Sequence, residues 1–211
     1  MSLPHVIRGK IERPHRHVVL HKPYGVLSKF TDVEDRPTLA AYVNVPQVYP
    51  AGRLDMDSEG LLLLTSDGEL AARLISPSYK VPKTYLVQVE RIPDESALGQ
   101  LRQGVMVKGK QTLPAVVHLL TQEPMVHPRP VPIRFRKSVP TAWLQIEIHE
   151  GMNRQIRRMT AQVGHPTLRV IRIAVGPIRL GSLLPGQWRE LQEEELQGLR
   201  SSSRPPSIPP H

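Results

Sequence analysis

The feature that most constrains the fold is a run of four leucines at residues 61–64, which ends at Thr-Ser-Asp-Gly, residues 65–68. A continuous apolar run of this length, closed by turn-forming residues, is typical of a short strand buried on both faces and is too short for an ordinary helix. Ahead of it, residues 52–60 form a polar segment with a glycine at each end. The sequence therefore predicts a charged loop at the edge of a buried sheet, where a rigid element can hold catalytic side chains.

Four charged residues occupy this loop: Arg53, Asp55, Asp57 and Glu59. The ordinary interpretation of such carboxylates is a solvated turn, because Asp and Glu side chains are mostly exposed. A second interpretation is a calcium loop of the EF-hand type. The run fits only the first half of that pattern, and its twelfth position is Ser66 where a bidentate glutamate is required. We therefore reject calcium and retain a catalytic loop as the alternative to a solvated turn.

Four segments, in this order, carry a resemblance to a known family. They are His-Lys-Pro-Tyr-Gly at residues 21–25, Gly-Arg-Leu-Asp-Met-Asp-Ser-Glu-Gly at residues 52–60, Lys-Thr-Tyr at residues 83–85, and Glu-Gly-Met-Asn-Arg-Gln-Ile-Arg-Arg-Met at residues 150–159. These segments resemble the signature motifs of the pseudouridine synthases that act on ribosomal RNA. The matching blocks extend over residues 18–191, which is nearly the whole of the expected folded part.

The resemblance implies a role for each of nine residues. It makes Asp55 the catalytic carboxylate, lays the ring of Tyr85 against the target base, and pairs Arg157 with Asp55. Arg154 is the second choice for that pairing. The residues that it assigns to RNA binding are Arg53, Lys22, Lys83, Asn153, Arg154 and Arg158. The resemblance implies conversion of uridine to pseudouridine. Because this reaction only rearranges uridine, neither a metal nor an organic cofactor is required.

Physical chemistry also favours an arginine beside Asp55. A carboxylate in a pocket that excludes water has its pKa raised by desolvation unless a fixed cation opposes the shift. Residues three or four apart lie on one face of a helix, so a helix here brings Arg154 near both Arg157 and Arg158. We expect this helix to have Asn153 as its N-cap and to stop at Gly164.

The balance of charge predicts a polyanionic partner. The chain has 28 Lys and Arg against 19 Asp and Glu, a formal net charge of +9. Neutralising phosphates supplies most sequence-independent affinity for nucleic acid, so RNA is the expected partner. Residues 124–140 are rich in proline and arginine and are read either as a basic loop along the RNA or as a solvated loop. No apolar run is long enough for a membrane helix, so we expect no membrane contact and a cytoplasmic monomer.

The expected fold class is α+β, with a bent, mixed and mostly antiparallel sheet, flanking helices and a central catalytic cleft. The expected organisation is a basic arm at residues 1–17, a catalytic domain of two half-lobes at residues 18–200, and a disordered Ser/Pro tail at residues 201–211. Many proteins of the family begin with a separate RNA-binding module of the S4 type, for which seventeen residues are too few. The resemblance is therefore to the branch without that module, which implies large-subunit rRNA as the substrate.

Two functions remain open on the sequence. The first is isomerisation of a specific uridine in ribosomal RNA, most readily 23S rRNA, to pseudouridine by base flipping and an aspartate nucleophile. The second is a catalytically silent RNA-binding or ribosome-assembly factor on the same scaffold. The difference between them is whether Asp55 performs chemistry.

Overall fold

The computed structural model describes residues 14–133, 136 and 138–203. The strands in chain order are β1 (His17–Lys22), β2 (Tyr49–Pro50), β3 (Glu59–Thr65), β4 (Lys83–Glu90), β5 (Met106–Val107), β6 (Lys110–Gln111), β7 (Val116–Leu119), β8 (Thr141–Ile148), β9 (Thr167–Val175), β10 (Ile178–Arg179) and β11 (Trp188–Glu190). The helices are α1 (Gly68–Ile75), α2 (Glu95–Gln103), α3 (Gln155–Gln162) and α4 (Glu193–Ser202), with short 3-10 turns at Leu39–Ala41 and Pro77–Tyr79.

Nine of these strands form one mixed sheet in the order β11-β1-β3-β9-β4-β8-β7, with β2 added to β3 and β10 added to β9. The pairing of β3 with β9 is parallel, and the other pairings in this sheet are antiparallel. The strands β5 and β6 form a separate hairpin. The α+β class and the mixed, mostly antiparallel sheet are therefore confirmed.

The leucine run forms the centre of the sheet, as predicted. Every residue of β3 is buried, and alternate leucines point to opposite faces. Leu62 and Leu64 join one hydrophobic cluster, whereas Leu61 and Leu63 join the cluster on the other face. Because each face is covered, β3 is an anchor for the charged loop that precedes it.

The sequence predicts helices that begin at Asp67 and near Asp94, and both helices form. The side chain of Asp67 accepts a hydrogen bond from the backbone N–H of Leu70 at 2.9 Å and caps α1. The side chain of Asp94 accepts one from the backbone N–H of Ala97 at 2.8 Å and caps α2. In both cases a carboxylate satisfies a backbone donor that the first helical turn leaves unpaired, which is the reason for the preference.

The spacing of residues 36–43 predicts a helix beside the sheet, and this prediction is wrong. Only the 3-10 turn Leu39–Ala41 forms there. The preceding backbone is extended and bonds to the chain after β1, where Leu27 N–H donates to the carbonyl of Pro37 and Leu39 N–H donates to the carbonyl of Lys29, both at 2.9 Å. A proline disfavours helical geometry in the residue before it, which helps to explain why this pairing replaces the helix.

The structure extends slightly beyond the expected folded part at both ends. β1 includes His17, which the sequence assigned to the basic arm, and α4 continues to Ser202, after which Ser203 is fully buried. The rest of the predicted arm and tail, residues 1–13 and 204–211, lies outside the described residues. Across the described ranges, no helix has the length and apolarity needed to cross a membrane.

Candidate active site

The register of the sheet brings the predicted motifs together. Arg172 on β9 is opposite Gly60 on one side and opposite Tyr85 on the other. Adjacent strands are about 4.8 Å apart, so the end of the charged loop and Tyr85 are separated by roughly 10 Å. Gly60 has a φ of +102°, and its lack of a side chain lets the backbone of Arg172 approach closely. The strand pairing therefore sets the width of the site.

The backbone of the charged loop is held by contacts on both sides of Asp55. The Ser28 hydroxyl donates to the carbonyl of Leu54 at 2.8 Å and accepts from its N–H at 3.0 Å. On the other side, Ser58 N–H donates to the carbonyl of Asp55 at 3.0 Å, and Gly25 N–H donates to that of Met56 at 2.8 Å. These bonds restrict the loop, so the carboxylate of Asp55 projects from a fixed turn.

A cleft of about 550 Å³ opens above this part of the sheet. The predicted site residues that line it are Arg53, Asp55, Lys83, Tyr85, Asn153, Arg154 and Arg157. A second cavity of about 560 Å³ lies around Glu90 and Trp143, but none of the predicted site residues lines it. The structure therefore brings seven of the nine predicted site residues together in one cleft.

Among the described residues, Arg154 is the arginine closest to Asp55. Its Nη1 lies 3.8 Å from Oδ2 of Asp55, which is an ion-pair distance without a hydrogen bond. The same guanidinium binds Asp57 in a bidentate manner, with Nη1 donating to Oδ1 at 2.9 Å and Nη2 donating to Oδ2 at 2.8 Å. Planar pairs of this kind are among the strongest in proteins, so Asp57 sets the position of Arg154.

The predicted pairing of Arg157 with Asp55 is wrong. Arg157 Nη2 donates to the backbone carbonyl of Asp57 at 2.7 Å and lies 3.3 Å from the carboxylate of that residue. The prediction fails because α3 begins one residue after Arg154, which adopts the left-handed conformation with a φ of +52°. Arg154 thus lies just before the first residue of the helix, and its side chain takes the position next to Asp55.

The charges shift the pKa values of the paired groups. Burial would raise the pKa of Asp57, but the hydrogen bond from Arg154 and the charge of Arg157 outweigh it, and the pKa is lowered. The hydrogen bond to Asp57 raises the pKa of Arg154. Burial lowers the pKa of Arg157, although an arginine stays charged at any pH that the protein tolerates. Asp57 is therefore an ionised carboxylate between two cations.

Tyr85 and Lys83 occupy alternate positions on β4 and both line the cleft. Tyr85 is 9% exposed and belongs to the hydrophobic cluster that contains Val87 and Ile146. Its side chain therefore packs in the core and also forms part of the lining of the cleft. Burial, together with the charge of Arg172, lowers the pKa of Lys83 to about 8. The site thus combines a flat aromatic ring with several cations.

Lys22, Asn153 and Arg158 make contacts that the sequence did not predict. Lys22, assigned to RNA binding, is completely buried, and its Nζ donates to the backbone carbonyls of Pro23 at 2.8 Å and Val26 at 2.7 Å. That assignment is wrong because the ammonium is enclosed by its own turn. Asn153 is not the N-cap of α3, since that place is taken by Arg154. Asn153 instead accepts a hydrogen bond from Arg158 at 2.8 Å, and Arg158 does not line the cleft.

Sequence reasoning missed a buried polar pair that shapes the start of α3. Gln155 Nε2 donates to Glu150 Oε1 at 2.6 Å, and Gln155 Oε1 accepts from the N–H of Met152 at 2.9 Å. The same Glu150 oxygen accepts from the N–H of Leu113 at 2.8 Å. These bonds fold the backbone just before Arg154. The signal in the sequence was a glutamate and a glutamine within the last motif, but their partners are not evident from spacing.

Comparison with known proteins supports the resemblance seen in the motifs. The family described as RNA pseudouridylate synthase matches residues 16–162. The ribosomal large subunit pseudouridine synthase E of Vibrio parahaemolyticus is 52% identical over 186 residues, which cover 88% of this chain and 78% of that protein. The protein of the same name from Xanthomonas campestris pv. campestris is 58% identical over 174 residues, 82% of this chain and 93% of that protein.

A solved structure agrees with these sequence matches. A crystal structure of a pseudouridylate synthase superposes with a TM-score of 0.74 at 27% identity and covers 90% of this chain and 75% of that one. The matched family segment includes the charged loop, Tyr85 and α3, which are the three elements that meet in the cleft. The chain therefore belongs to the RNA pseudouridylate synthase family.

Proposed function

We propose that this protein converts a uridine of large-subunit ribosomal RNA to pseudouridine, with Asp55 as the catalytic carboxylate. The observation that carries the proposal is the meeting of Asp55, Tyr85 and Arg154 in one cleft of a family member. The choice of RNA rests on the two relatives named as large-subunit enzymes. We further propose that the protein acts in the cytoplasm, where it meets ribosomal RNA, and that it is a monomer, since residues of one chain line the cleft.

The reaction breaks one bond to the sugar and makes another. The bond from ribose C1′ to uracil N1 breaks, and its electron pair goes to N1. The base then turns, and a bond forms from C1′ to C5. The hydrogen on C5 leaves as a proton, and N1 gains one, so atoms and electrons balance without any oxidation. Asp55 serves either as the nucleophile at C1′ or as the base that assists elimination at the sugar.

Arg154 supports an ionised Asp55 by its charge. At 3.8 Å from Oδ2, the guanidinium opposes the desolvation that a bound nucleoside would impose on the carboxylate. In this proposal the ring of Tyr85 lies on the uracil, because a flat aromatic side chain is a suitable platform for an unstacked base. The cleft of about 550 Å³ has room for one nucleoside, that is, for the uracil and its ribose.

The target base must leave the RNA helix before it reaches Asp55. Extruding a nucleotide from a stem costs a few kcal/mol, which contacts to the RNA backbone must offset. Cations that line the cleft, with Arg53 exposed and Arg154 partly exposed, serve this purpose, and the net charge of +9 favours RNA generally. In this proposal Arg53, which is exposed and lies two residues before Asp55, fills the space that the base leaves in the stem.

The direct test is release of tritium from large-subunit rRNA labelled at uracil C5. Wild type is expected to release one equivalent per modified site, and Asp55→Asn is expected to release none while binding the RNA. Asp35→Asn is the matched control, because it removes the same charge from an exposed position that does not line the cleft. Equal release by wild type and Asp55→Asn would contradict the assignment, and binding without release by wild type would indicate a silent RNA-binding factor.

A further inference from the structure

Asp57, and not Asp55, receives most of the hydrogen bonds that Arg154 and Arg157 donate. Arg154 gives it two, at 2.9 and 2.8 Å. Arg157 gives one to its backbone carbonyl at 2.7 Å and lies 3.3 Å from its carboxylate. The side chains of Asp55 and Asp57 are each 33% exposed, so the difference between them does not come from access. The difference in hydrogen bonding arises because the guanidiniums of Arg154 and Arg157 point toward Asp57.

This arrangement leaves the oxygen atoms of Asp55 available. A charge-assisted hydrogen bond occupies a lone pair and stabilises the carboxylate before it reacts, and this lowers its reactivity. At 3.8 Å, by contrast, Arg154 still contributes Coulomb attraction but does not occupy a lone pair of Asp55. A carboxylate that must either bond to a sugar carbon or take a proton needs a free lone pair together with a nearby positive charge.

We propose that Asp57 is a positioning residue for the isomerisation, which holds Arg154 and Arg157 and so keeps Arg154 beside Asp55 without letting it close a hydrogen-bonded pair with that carboxylate. The inference rests on the proposed function, since it assumes that Asp55 reacts. Asp57 itself touches neither the sugar nor the base in this account. It acts only through the two guanidiniums.

The state of Arg157 indicates what happens when Asp57 no longer holds it. Its Nε is buried and has no hydrogen-bond partner among the described residues, so the guanidinium already lacks one acceptor. An unsatisfied buried donor costs about 1–3 kcal/mol and favours any movement that finds an acceptor. Once the carboxylate of Asp57 is neutralised, Asp55 is the charged acceptor that Arg154 already approaches at 3.8 Å. The arginines are therefore expected to turn toward Asp55.

The test is the variant Asp57→Asn, which has nearly the same shape and removes the charge. We expect kcat to fall about 10- to 100-fold, the factor that corresponds to one new charged hydrogen bond to the reacting group. KM and the affinity for RNA are expected to change less than about threefold, because the cations at the cleft remain. Asp35→Asn, which removes an exposed carboxylate outside the cleft, is expected to match wild type in both constants.

A crystal structure of Asp57→Asn gives a readout that a merely structural role would not move. We expect a nitrogen of Arg154 or Arg157 within hydrogen-bond distance of the Asp55 carboxylate. If Asp57→Asn gives no folded protein, Asp57→Ser serves the same purpose, since serine also suits a turn. An unchanged kcat, a loss confined to KM or thermal stability, or guanidiniums that stay in place would each overturn the proposal.

The same series separates this inference from the proposed function. If wild type and Asp35→Asn release tritium and Asp57→Asn does so at the wild-type rate, only the role of Asp57 fails. If wild type releases none, the proposed function fails, whatever the position of the arginines. A final comparison uses Arg154→Gln, in which the loss caused by Asp57→Asn is expected to shrink by at least about half, because the two residues act together. Additive losses would contradict the mechanism.

Discussion

Replacing Glu59 with glutamine is expected to lower the free energy of unfolding by about 3–5 kcal/mol, the usual consequence of breaking a buried ion pair from one side. Glu59 begins β3 and is 3% exposed, and Arg169 on β9 is 8% exposed. Arg169 donates to the two oxygens of Glu59 from Nε at 2.8 Å and from Nη2 at 2.7 Å. The variant leaves the guanidinium buried without its carboxylate, and water cannot replace the lost interaction.

The same substitution at an exposed pair provides the control. Glu69 and Arg73 are four residues apart on α1, and the Glu69 side chain is 75% exposed. Because water screens such a pair, Glu69→Gln is expected to cost no more than about 0.5 kcal/mol. Urea unfolding of wild type and both variants measures the two losses. In thermal unfolding, Glu59→Gln is expected to lower Tm by about 6–20 °C.

Two outcomes would refute this reasoning. One is a loss below about 1 kcal/mol for Glu59→Gln, and the other is an equal loss for both variants. A double variant, Glu59→Met with Arg169→Met, distinguishes charge from packing. It is expected to regain most of the stability, because replacing a whole buried pair by apolar side chains is often neutral. A residual loss of about 1 kcal/mol is expected, since Arg169 also donates to the carbonyl of His127 at 2.7 Å.

Two further predictions concern stability. Burial lowers the pKa of Lys22 from 10.5 to about 8. Between these pH values the unfolded chain therefore binds more protons than the folded chain. The free energy of unfolding of wild type, measured by urea titration relative to that of Lys22→Met, is expected to rise by about 2 kcal/mol from pH 8 to pH 10. A difference between the two proteins that does not change with pH would contradict the buried ammonium. Gly60→Ala, whose Cβ would overlap the Arg172 carbonyl, is expected to cost more than about 2 kcal/mol. Gly68→Ala meets nothing within 4 Å and is expected to gain about 0.4–1 kcal/mol, so similar effects at both glycines in thermal melts would argue against the close strand approach.

Much of the fold could be predicted because its strongest signals are local. The leucines of β3 predict a strand buried on both faces, and Asp67 predicts the start of α1 from its own side-chain chemistry. Where a distant partner competes with local preference, prediction fails. Residues 36–43 have helical spacing, but their backbone bonds to the segment after β1 and forms only one short turn. Nothing in the spacing of those residues reveals that partner.

The site was predicted in its members but not in its pairings. The motifs identify Asp55, Tyr85, Arg154 and Arg157, and all four line one cleft. Which arginine meets which carboxylate depends on where α3 begins, and that start is set by the buried contact of Gln155 with Glu150. A shift of one residue at the helix start exchanges the roles expected of Arg154 and Arg157. Lys22 was misjudged for a similar reason, since its turn encloses the ammonium.

The most direct test of the central claim is a map of pseudouridines in the ribosomal RNA of cells that lack this protein. We expect one site in the large-subunit rRNA to be lost, to return when wild type is supplied, and to stay absent when Asp55→Asn is supplied at the same level. An unchanged map, or restoration by Asp55→Asn, would contradict the account.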